Sequence, residues 1–386
     1  MIHLIYVRKL PPRIATLGKH LYEKKMFSEW GITMIKSTYL LILLLGSLCL
    51  SSHPKTKEPA RAKMTDKKVT ITISAAGDCT FGSDRSSPSS ANFYSVRRRV
   101  KKDDYFFRKV SSIFKKDDLT IVNLEGTLTK RGQRAPKKYA FRGDPSYAKI
   151  LKKGHVEAVS FANNHCRDFG PISYQDTCDT LKKNKIHYAS YEKTSIYRKK
   201  GKKIGMVAVN GLENYSASKN LIQRGVKKLK RKKADLIIVS IHAGIEHTSQ
   251  LSDTQKSLSR YAVRQGANLV LGHHPHVLQG IETYRGAYIV YSLGNFCFGG
   301  NTNPSDKDTM IFQQKFTFQG KKLLRKKSPA KVIPCSLSSR PDINNYQPKP
   351  AAPKRYQRIL NRLARYSRPL GTTFRTRKGK RSNILR

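Results

Sequence analysis

Between Val69 and about Gly320, short apolar runs rich in β-branched residues alternate with longer polar segments. Short apolar runs of this kind are typical of buried strands, and the polar segments between them are typical of helices that expose one face. We place strands at 69–74, 119–123, 157–161, 203–210, 235–242, 267–274 and 287–293. This alternation predicts an α/β fold.

Six of these runs are followed at once by a cluster of polar or glycine residues. The clusters read GDCTFG, NLEGTLT, ANNHCRDFG, HAGIEH, GHHPH and SLGN. Ligand sites in open α/β sheets lie outside the carboxyl ends of the strands. We therefore expect the functional site of the protein at this edge of the sheet. The chain has no Walker or GxGxxG phosphate loop.

The clusters supply oxygen and nitrogen ligands of the kind that hydrolytic Mn, Fe or Zn sites use. They are Asp78, Glu125, Asn164, His165, His242, His274 and His276. A single histidine at a strand end is usually a hydrogen-bonded structural residue. Several such groups converging from different strands are costly to bury unpaired, and a divalent cation removes that cost. The sequence therefore predicts a metal-binding site.

The N-terminal region has the layout of a secretion signal. A twelve-residue apolar run at 39–50 follows Lys36 and precedes two serines and a proline, and it is short for a membrane span. We expect residues 34–52 to be a signal peptide or an N-terminal anchor, and residues 1–33 an extension or a misannotated start. Lipid attachment at Cys49 stays open. The expected location is the cell envelope: periplasmic, membrane-anchored or extracellular.

Composition sets the remaining boundaries. Residues 53–68 are expected to be a linker, residues 69–337 the folded domain, and residues 338–386 a basic, Pro-rich tail. Such a tail either clamps an acidic polymer or remains solvated.

The formal net charge of +51 attracts polyanions such as nucleic acid, anionic lipid, teichoic-type polymers and polyglutamate. The same charge is compatible with a role in solubility alone. No zinc-finger spacing, RNP-like strand or recognition-helix pattern is present, which disfavours nucleic acid as the partner.

The six cysteines are scattered and contain no CxxC pair, so they do not define a disulfide scaffold. Pairing after export and isolated buried thiols are both compatible with the sequence.

The order of the strand-end residues resembles that of calcineurin-like metallophosphoesterases, and the motifs resemble the poly-γ-glutamate capsule (CapA) family more closely. The matching segments are AAGDCTFG (75–82), NLEGTLT (123–129), FRGDP (141–145), FANNHCRDFG (161–170), HAGIEH (242–247), GANLVLGHHPHVLQGIE (266–282) and YSLGNFCF (291–298). The resemblance implies a four-layer αββα sandwich of the metallophosphoesterase type.

The resemblance also implies roles for individual residues. Asp78 and Glu125 would be carboxylate ligands, with Glu125 at the position of a bridging Asp. Asn164 and His242 would bind a second ion. The remaining implied ligands, which would complete both sites, are His274 and His276.

Other residues would act around the ligands. His165 would act as an acid or stabilise charge, together with Asp168 three residues later. Glu246 and His247 are expected at the substrate, and Asn295 either points into the pocket or caps its turn. His273 is expected not to be a ligand.

The sequence departs from these family patterns in two places. Thr80 stands where the phosphoesterase Asp-x-His motif has its histidine, which puts the number of bound ions in doubt. The family's His-Trp-Gly-x-Glu-Tyr segment reads HAGIEH here, which changes a wall of the pocket and adds a possible donor.

The resemblance implies an exported, metal-dependent hydrolase or transferase that acts on the amide bonds of poly-γ-glutamate or a related anionic wall polymer. A non-catalytic factor that binds the polymer for export or anchoring is the alternative. A phosphoesterase is disfavoured, since fold alone is a weak guide to substrate.

Overall fold

The computed structural model describes residues 68–84, 89–377 and 380–385. The predicted N-terminal extension, the predicted signal segment and Cys49 lie outside these residues. Among the helices of the described residues, none is both long and apolar enough to cross a membrane.

The strands fall in two large sheets and one small pair. In chain order they are β1 (Lys68–Thr80), β2 (Leu119–Leu124), β3 (Thr127–Leu128), β4 (Arg142–Gly143), β5 (Ala158–Ser160), β6 (His187–Ala189), β7 (Ser195–Lys199), β8 (Lys202–Asn210), β9 (Leu236–His242), β10 (Leu269–His273), β11 (Ile281–Tyr284), β12 (Ala287–Val290), β13 (Asn295–Phe298), β14 (Asp308–Gln319), β15 (Lys322–Leu323), β16 (Ala330–Ser336), β17 (Lys349–Pro350), β18 (Phe374–Arg377) and β19 (Lys380–Leu385).

The α-helices are α1 (Phe93–Val100), α2 (Ser111–Phe114), α3 (Ala148–Lys153), α4 (Gly170–Lys183), α5 (Tyr215–Arg231), α6 (Asp253–Gln265) and α7 (Pro353–Ser367). Short 3₁₀ turns are Asp103–Tyr105, Pro145–Tyr147, Arg325–Lys327 and Arg368–Leu370.

The larger sheet has the strand order β18-β19-β16-β14-β1-β2-β5-β6, and the smaller has the order β11-β12-β10-β9-β8-β7. Strands β1, β2, β5 and β6 are parallel to one another, as are β8, β9, β10 and β12. The intervening helices make this possible, because parallel strands need long crossover connections. The carboxyl ends of each parallel set consequently share one edge of their sheet.

The two sheets pack face to face, and helices cover their outer faces. Along β2, Ile121 belongs to the apolar cluster between the sheets, whereas Val122 belongs to the cluster under α1–α4. Along β8, Met206 faces the same central cluster, and Val207 faces α5 and α6. Successive strand residues point to opposite faces, so both faces are buried. These layers confirm the predicted four-layer αββα sandwich.

Helix α6 illustrates how local sequence fixes an element behind the sheet edge. The Ser252 hydroxyl accepts from the Gln255 backbone N–H, and the Gln255 side chain accepts from the Ser252 backbone N–H. This capping box satisfies N–H groups that an α-helix leaves unpaired at its start. The helix ends at Gly266 in the left-handed conformation, with φ 118°.

The C-terminal region is part of the fold and not a tail appended to it. Within the segment 338–386, α7 buries Ile359, Leu360, Leu363 and Ala364 in the central cluster between the sheets. Strand β19 pairs with β16 and extends the larger sheet. Basic composition leaves a polymer clamp or a solvated end open, but the apolar residues recur every three or four positions and form a core-facing stripe.

A buried carboxylate fixes the same helix electrostatically. The Asp308 carboxylate is almost fully buried and lies 2.6 Å from Arg358, 3.2 Å from Arg355 and 3.3 Å from Arg362. A buried carboxylate is tolerated when it is paired and hydrogen-bonded. The arginine face of α7 is therefore held against the first residue of β14.

Cys79, Cys166, Cys178, Cys297 and Cys335 are buried free thiols, and no disulfide links these five described residues. They pack as small apolar side chains.

We predict that Leu360→Ala lowers the free energy of unfolding by about 2–5 kcal/mol, because it leaves a cavity in the central core. Chemical denaturation measures the change. Lys354→Ala on the exposed face of α7 serves as the control and should shift stability by less than about 0.5 kcal/mol. Equal effects of the two substitutions would show that α7 does not pack as described.

Candidate metal centre

The carboxyl ends of strands from both sheets meet at one place. Asp78 lies near the end of β1, and Glu125 directly follows β2. His242 is the last residue of β9, and His274 directly follows β10. Residues that are far apart in the sequence therefore become neighbours, as the positions of the polar clusters predict.

Glu125 lies at the centre of this group. Its Oε1 lies 3.7 Å from Nε2 of His242, 3.7 Å from Nε2 of His276 and 4.0 Å from Nε2 of His165. The side chain is fully buried, and neither carboxylate oxygen has a hydrogen-bond partner. An unpaired buried carboxylate is costly in free energy, so this position requires a compensating positive charge or a proton.

Three sets of side chains bring ligand atoms within 4.8 Å of one another. The sets are Asp78–Glu125–His276, Glu125–His242–His274 and Glu246–His274–His276. Glu125 belongs to the first two sets. The six-residue cluster could therefore hold two cations with Glu125 between them, as implied for a bridging carboxylate.

Asn164 adds an amide oxygen beside the second set. Its Oδ1 lies 2.8 Å from Nε2 of His242. The structure thus brings Asn164 next to His242, the residue with which it was predicted to share an ion.

Asn295 orients His276. Its Oδ1 lies 2.8 Å from Nδ1 of His276, so the other ring nitrogen faces Glu125. Ring nitrogens of metal-binding histidines are commonly oriented by such a bond. Of the two roles left open by the sequence, Asn295 points toward the pocket.

The backbone is unusual at three of these histidines. His247, His274 and His276 have positive φ values of 60°, 100° and 59°. Non-glycine residues rarely adopt such angles, and functional sites are where the surrounding structure enforces them.

The two central carboxylates differ in their electrostatics. Burial raises the pKa of Glu125 well above its ordinary value. Burial acts in the same direction on Asp78, but contacts with His273 and His276 hold the pKa of Asp78 well below its usual range. In the metal-free protein, Asp78 is therefore the charged carboxylate of the pair.

The histidines differ as well. Burial disfavours a charged ring at His276, but the Glu125 and Asp78 carboxylates raise its pKa to about 10. Burial and the charge of His276 lower the pKa of His274 to about 4. Burial, followed by His274, lowers the pKa of His242 well below its ordinary value. His242 and His274 are thus neutral, which is the form that binds a metal ion.

His165 is oriented by its own set of contacts. Its Nδ1 lies 2.7 Å from Oδ2 of Asp168, and its ring packs against Phe141 with centroids 4.4 Å apart. Oδ2 of Asp168 also accepts the backbone N–H of Phe141 at 2.6 Å. Lys137 Nζ donates to Oδ1 of Asp168 at 2.8 Å and to the Asn164 carbonyl at 2.8 Å. The predicted His165–Asp168 pair is therefore fixed on both sides.

Two buried amides connect the centre to this pair. Asn123 donates to Asp78 Oδ1 at 3.0 Å, and Asn163 donates to Asn123 Oδ1 at 3.2 Å. The backbone N–H of His165 donates to Asn163 Oδ1 at 3.1 Å. Asn123, Phe141 and Asn163 stand in the segments NLEGTLT, FRGDP and FANNHCRDFG but were given no role, and Lys137 lies in none of the matching segments.

His273 lies nearer to the centre than expected. Its Nδ1 is 3.2 Å from Oδ1 of Asp78, yet neither ring nitrogen makes a hydrogen bond. It belongs to none of the three ligand sets of the described residues. Thr80 is also buried, and its hydroxyl has no hydrogen-bond partner.

A cavity of about 420 Å³ opens over the centre. His165, Glu246, His247 and Asn295, for which catalytic or substrate-contacting roles are expected, line it together with His276, an expected ligand. Its far wall was not predicted, and comes from Asn301, Asp306, Arg362 and Tyr366.

The profile of a family described as bacterial capsule synthesis protein PGA_cap matches residues 72–300, more than half of the 386 residues. The chain belongs to this family. This match confirms the resemblance to the poly-γ-glutamate capsule family that the sequence motifs indicate.

Two relatives of this PGA_cap chain are CapA proteins of Bacillus. "PGA biosynthesis protein CapA" of Bacillus subtilis (strain 168) is 31% identical over 220 residues, covering 50% of this chain and 57% of that protein. "Capsule biosynthesis protein CapA" of Bacillus anthracis is 28% identical over 314 residues, covering 74% and 72%. The chain thus spans little more than half the length of the Bacillus subtilis relative.

More distant similarities are weaker. A "probable polyglutamine synthesis accessory protein" of Mycobacterium tuberculosis is 25% identical over 215 residues, covering 46% of this chain and 55% of that protein. A crystal structure of a hypothetical protein from Thermus thermophilus matches 68% of this chain and 99% of its own, at 15% identity and a TM-score of 0.41. A TM-score of 0.41 is too low to support a conclusion about the fold.

A divalent cation fits the centre of this PGA_cap chain. Glu125 has two buried oxygens without a partner, and Nδ1 of the mostly buried His274 has none. Carboxylate and imidazole are ligands that Mn, Fe and Zn share. Asp78, Glu125 and His276 would hold one ion. Glu125, His242 and His274, with Asn164 beside them, would hold a second.

We predict that cation binding releases protons. Glu125 and His276 together retain at least one proton near neutral pH in the metal-free protein, because burial raises the pKa of Glu125 and the neighbouring carboxylates raise that of His276, and ligands must be deprotonated to bind. The apparent affinity for Mn²⁺ or Zn²⁺ should therefore rise by about tenfold per pH unit for each proton released. Titration calorimetry in buffers of different ionisation enthalpy measures both effects.

The controls compare two carboxylates. Glu125→Gln should abolish the strong binding, whereas Asp179→Asn on the exposed face of α4 should leave it unchanged. Binding that is independent of pH, or that survives Glu125→Gln, would contradict this assignment.

Proposed function

We propose that the protein acts in the cell envelope as a metal-dependent hydrolase or transferase on the amide bonds of poly-γ-glutamate or a related anionic wall polymer. The proposal is carried by the environment of Glu125. Its carboxylate is buried without a hydrogen-bond partner and belongs to two ligand sets beneath an open cavity.

The polymer is inferred from the relatives. Two of them are named for capsule or PGA biosynthesis and a third for polyglutamine synthesis. We infer that this chain acts on the same class of polymer, and that it is exported because such a polymer lies outside the cell.

His165 is suited to transfer a proton at the reacting bond. Burial lowers its pKa, so the ring is neutral near pH 7 and can accept a proton. Asp168 opposes this shift and stabilises the imidazolium once the proton has been taken. The ring would take this proton from the attacking water, or from the attacking amine in a transfer, as the new bond to the carbonyl carbon forms, and would give it to the departing amine nitrogen as the C–N bond breaks.

Cleavage of the amide bond also requires that its carbonyl group is polarised. A bound divalent cation, Mn, Zn or Fe, supplies Lewis acidity toward the scissile carbonyl. Phe141 and Phe298 line the same cavity and give it two apolar walls. Glu246 and His247, on the exposed rim, would contact the polymer.

A non-catalytic role in polymer binding for export or anchoring is the second candidate. Thr80 favours it, because a hydroxyl replaces the histidine of the Asp-x-His motif and leaves the first ion with fewer ligands. The two candidates differ in whether the cavity residues are required for turnover.

We predict metal-dependent cleavage of poly-γ-glutamate by the purified protein with Mn²⁺ or Zn²⁺, and none in the presence of a chelator. Glu125→Gln and His274→Ala should lower the rate by at least about 100-fold, since each removes a ligand. The release of new amino groups and the fall in polymer length measure the reaction.

His187→Ala, which changes a histidine outside the centre, is the matched control and should retain activity. A model phosphodiester tests the phosphoesterase alternative. If no metal condition gives turnover of either substrate and His274→Ala remains active in cells, the catalytic proposal fails and the binding role replaces it.

A further inference from the structure

Helix α7 presents a basic face beside the cavity. Five of its fifteen residues are lysine or arginine. An open groove of about 660 Å³ runs along this face, lined by Lys354, Gln357, Arg358, Asn361, Arg362 and Arg365. The profile of the PGA_cap family ends at residue 300, so this groove lies beyond the matched region.

The positive charge of this face exceeds what the neighbouring acids neutralise. The five cations of α7 meet two carboxylates, Asp306 and Asp308, and five minus two leaves a surplus of three. Lys354 and Arg365 form no ion pair with any described residue. Both side chains are exposed. The groove is therefore attractive to an anionic ligand.

Arg362 joins the groove to the cavity. It is the one residue that lines both, and its Nη1 lies 2.7 Å from Asp306. The opposite face of α7 is packed in the core, so the groove is fixed relative to the metal centre. A chain lying along α7 would pass Arg362 and enter the cavity toward His165.

The functional groups of the groove match a particular kind of polymer. Guanidinium groups pair with carboxylates through two parallel hydrogen bonds. Gln357 and Asn361 lie one turn apart on the same face. Gln357 Nε2 donates to Asn361 Oδ1 at 3.4 Å, which leaves the Gln357 oxygen and the Asn361 amino group to pair with backbone amides. None of the six lining residues is aromatic, whereas sites for single-stranded nucleic acid use aromatic side chains to stack bases.

We propose that the α7 groove is a docking track for an anionic polyamide with one carboxylate per repeat, which it feeds past Arg362 into the cavity. From Lys354 to Arg365 the track spans about 16 Å, at about 1.5 Å per helical residue. Several repeats of the polymer therefore lie on the track at once. The proposal rests on the proposed function for the identity of the polymer, but it concerns binding and not the reaction.

The test compares two double variants of the protein with the same loss of charge. Lys354→Gln/Arg365→Gln removes one lysine and one arginine from the track. Lys227→Gln/Arg231→Gln removes the same pair from the exposed face of α5, on the outer side of the smaller sheet. None of these four side chains forms an ion pair with a described residue, so both variants should fold. Circular dichroism and thermal unfolding confirm this.

Binding is measured by fluorescence anisotropy with labelled long poly-γ-glutamate and with the γ-glutamyl-glutamate dipeptide. The track variant should bind the long polymer roughly 5- to 30-fold more weakly, as expected for two lost charge contacts, with a shallower dependence on salt. Its affinity for the dipeptide, which is too short to occupy the track and the cavity together, should be unchanged. The α5 variant should behave as the unaltered protein.

Three outcomes would overturn the proposal. They are equal weakening by both double variants, no weakening by the track variant, and tighter α7-dependent binding of single-stranded RNA than of poly-γ-glutamate. If α7-dependent polymer binding occurs without any turnover, the proposed reaction fails and the track stands. If turnover occurs with binding independent of α7, the track fails and the reaction stands.

Discussion

The buried carboxylate of Glu125 sets the condition that the rest of the site satisfies. A carboxylate without hydrogen bonds in the interior is stable only with a proton or a nearby positive charge. The structure surrounds it with His165, His242 and His276, and burial raises its pKa. Strand ends from two sheets must meet for this arrangement to exist. The four-layer packing, the crossover helices and the strained histidine backbone all serve that convergence.

Much of the fold and centre could be predicted from the sequence because the relevant signals are local. An apolar run followed by a polar cluster marks a strand end, and parallel strands place such ends together. Glu125, His242 and His276 were found in this way. Asn123 opens the NLEGTLT cluster, but it was given no role, because nothing in the sequence distinguishes a residue there that bonds to Asp78 from one that only packs.

The rest could not be predicted because it depends on distant pairing. Strands β14 and β16 were not placed, although β14 is twelve residues long and pairs with β1 along most of its length. Lys137 lies in a polar segment without a motif, and its role arises only where that segment folds over Asp168. For the segment 338–386, composition left a polymer clamp and a solvated end open. Neither alternative predicts that the apolar stripe of α7 packs between the two sheets.

The chain order of the cavity walls separates two properties of the site. Every side chain in the three ligand sets lies between residues 78 and 276, whereas the far wall comes from residues 301–366. The residues that could hold an ion and those that close the cavity therefore belong to successive stretches of polypeptide. Substitutions in the later stretch can change the shape and charge of the cavity while every side chain of the ligand sets stays the same.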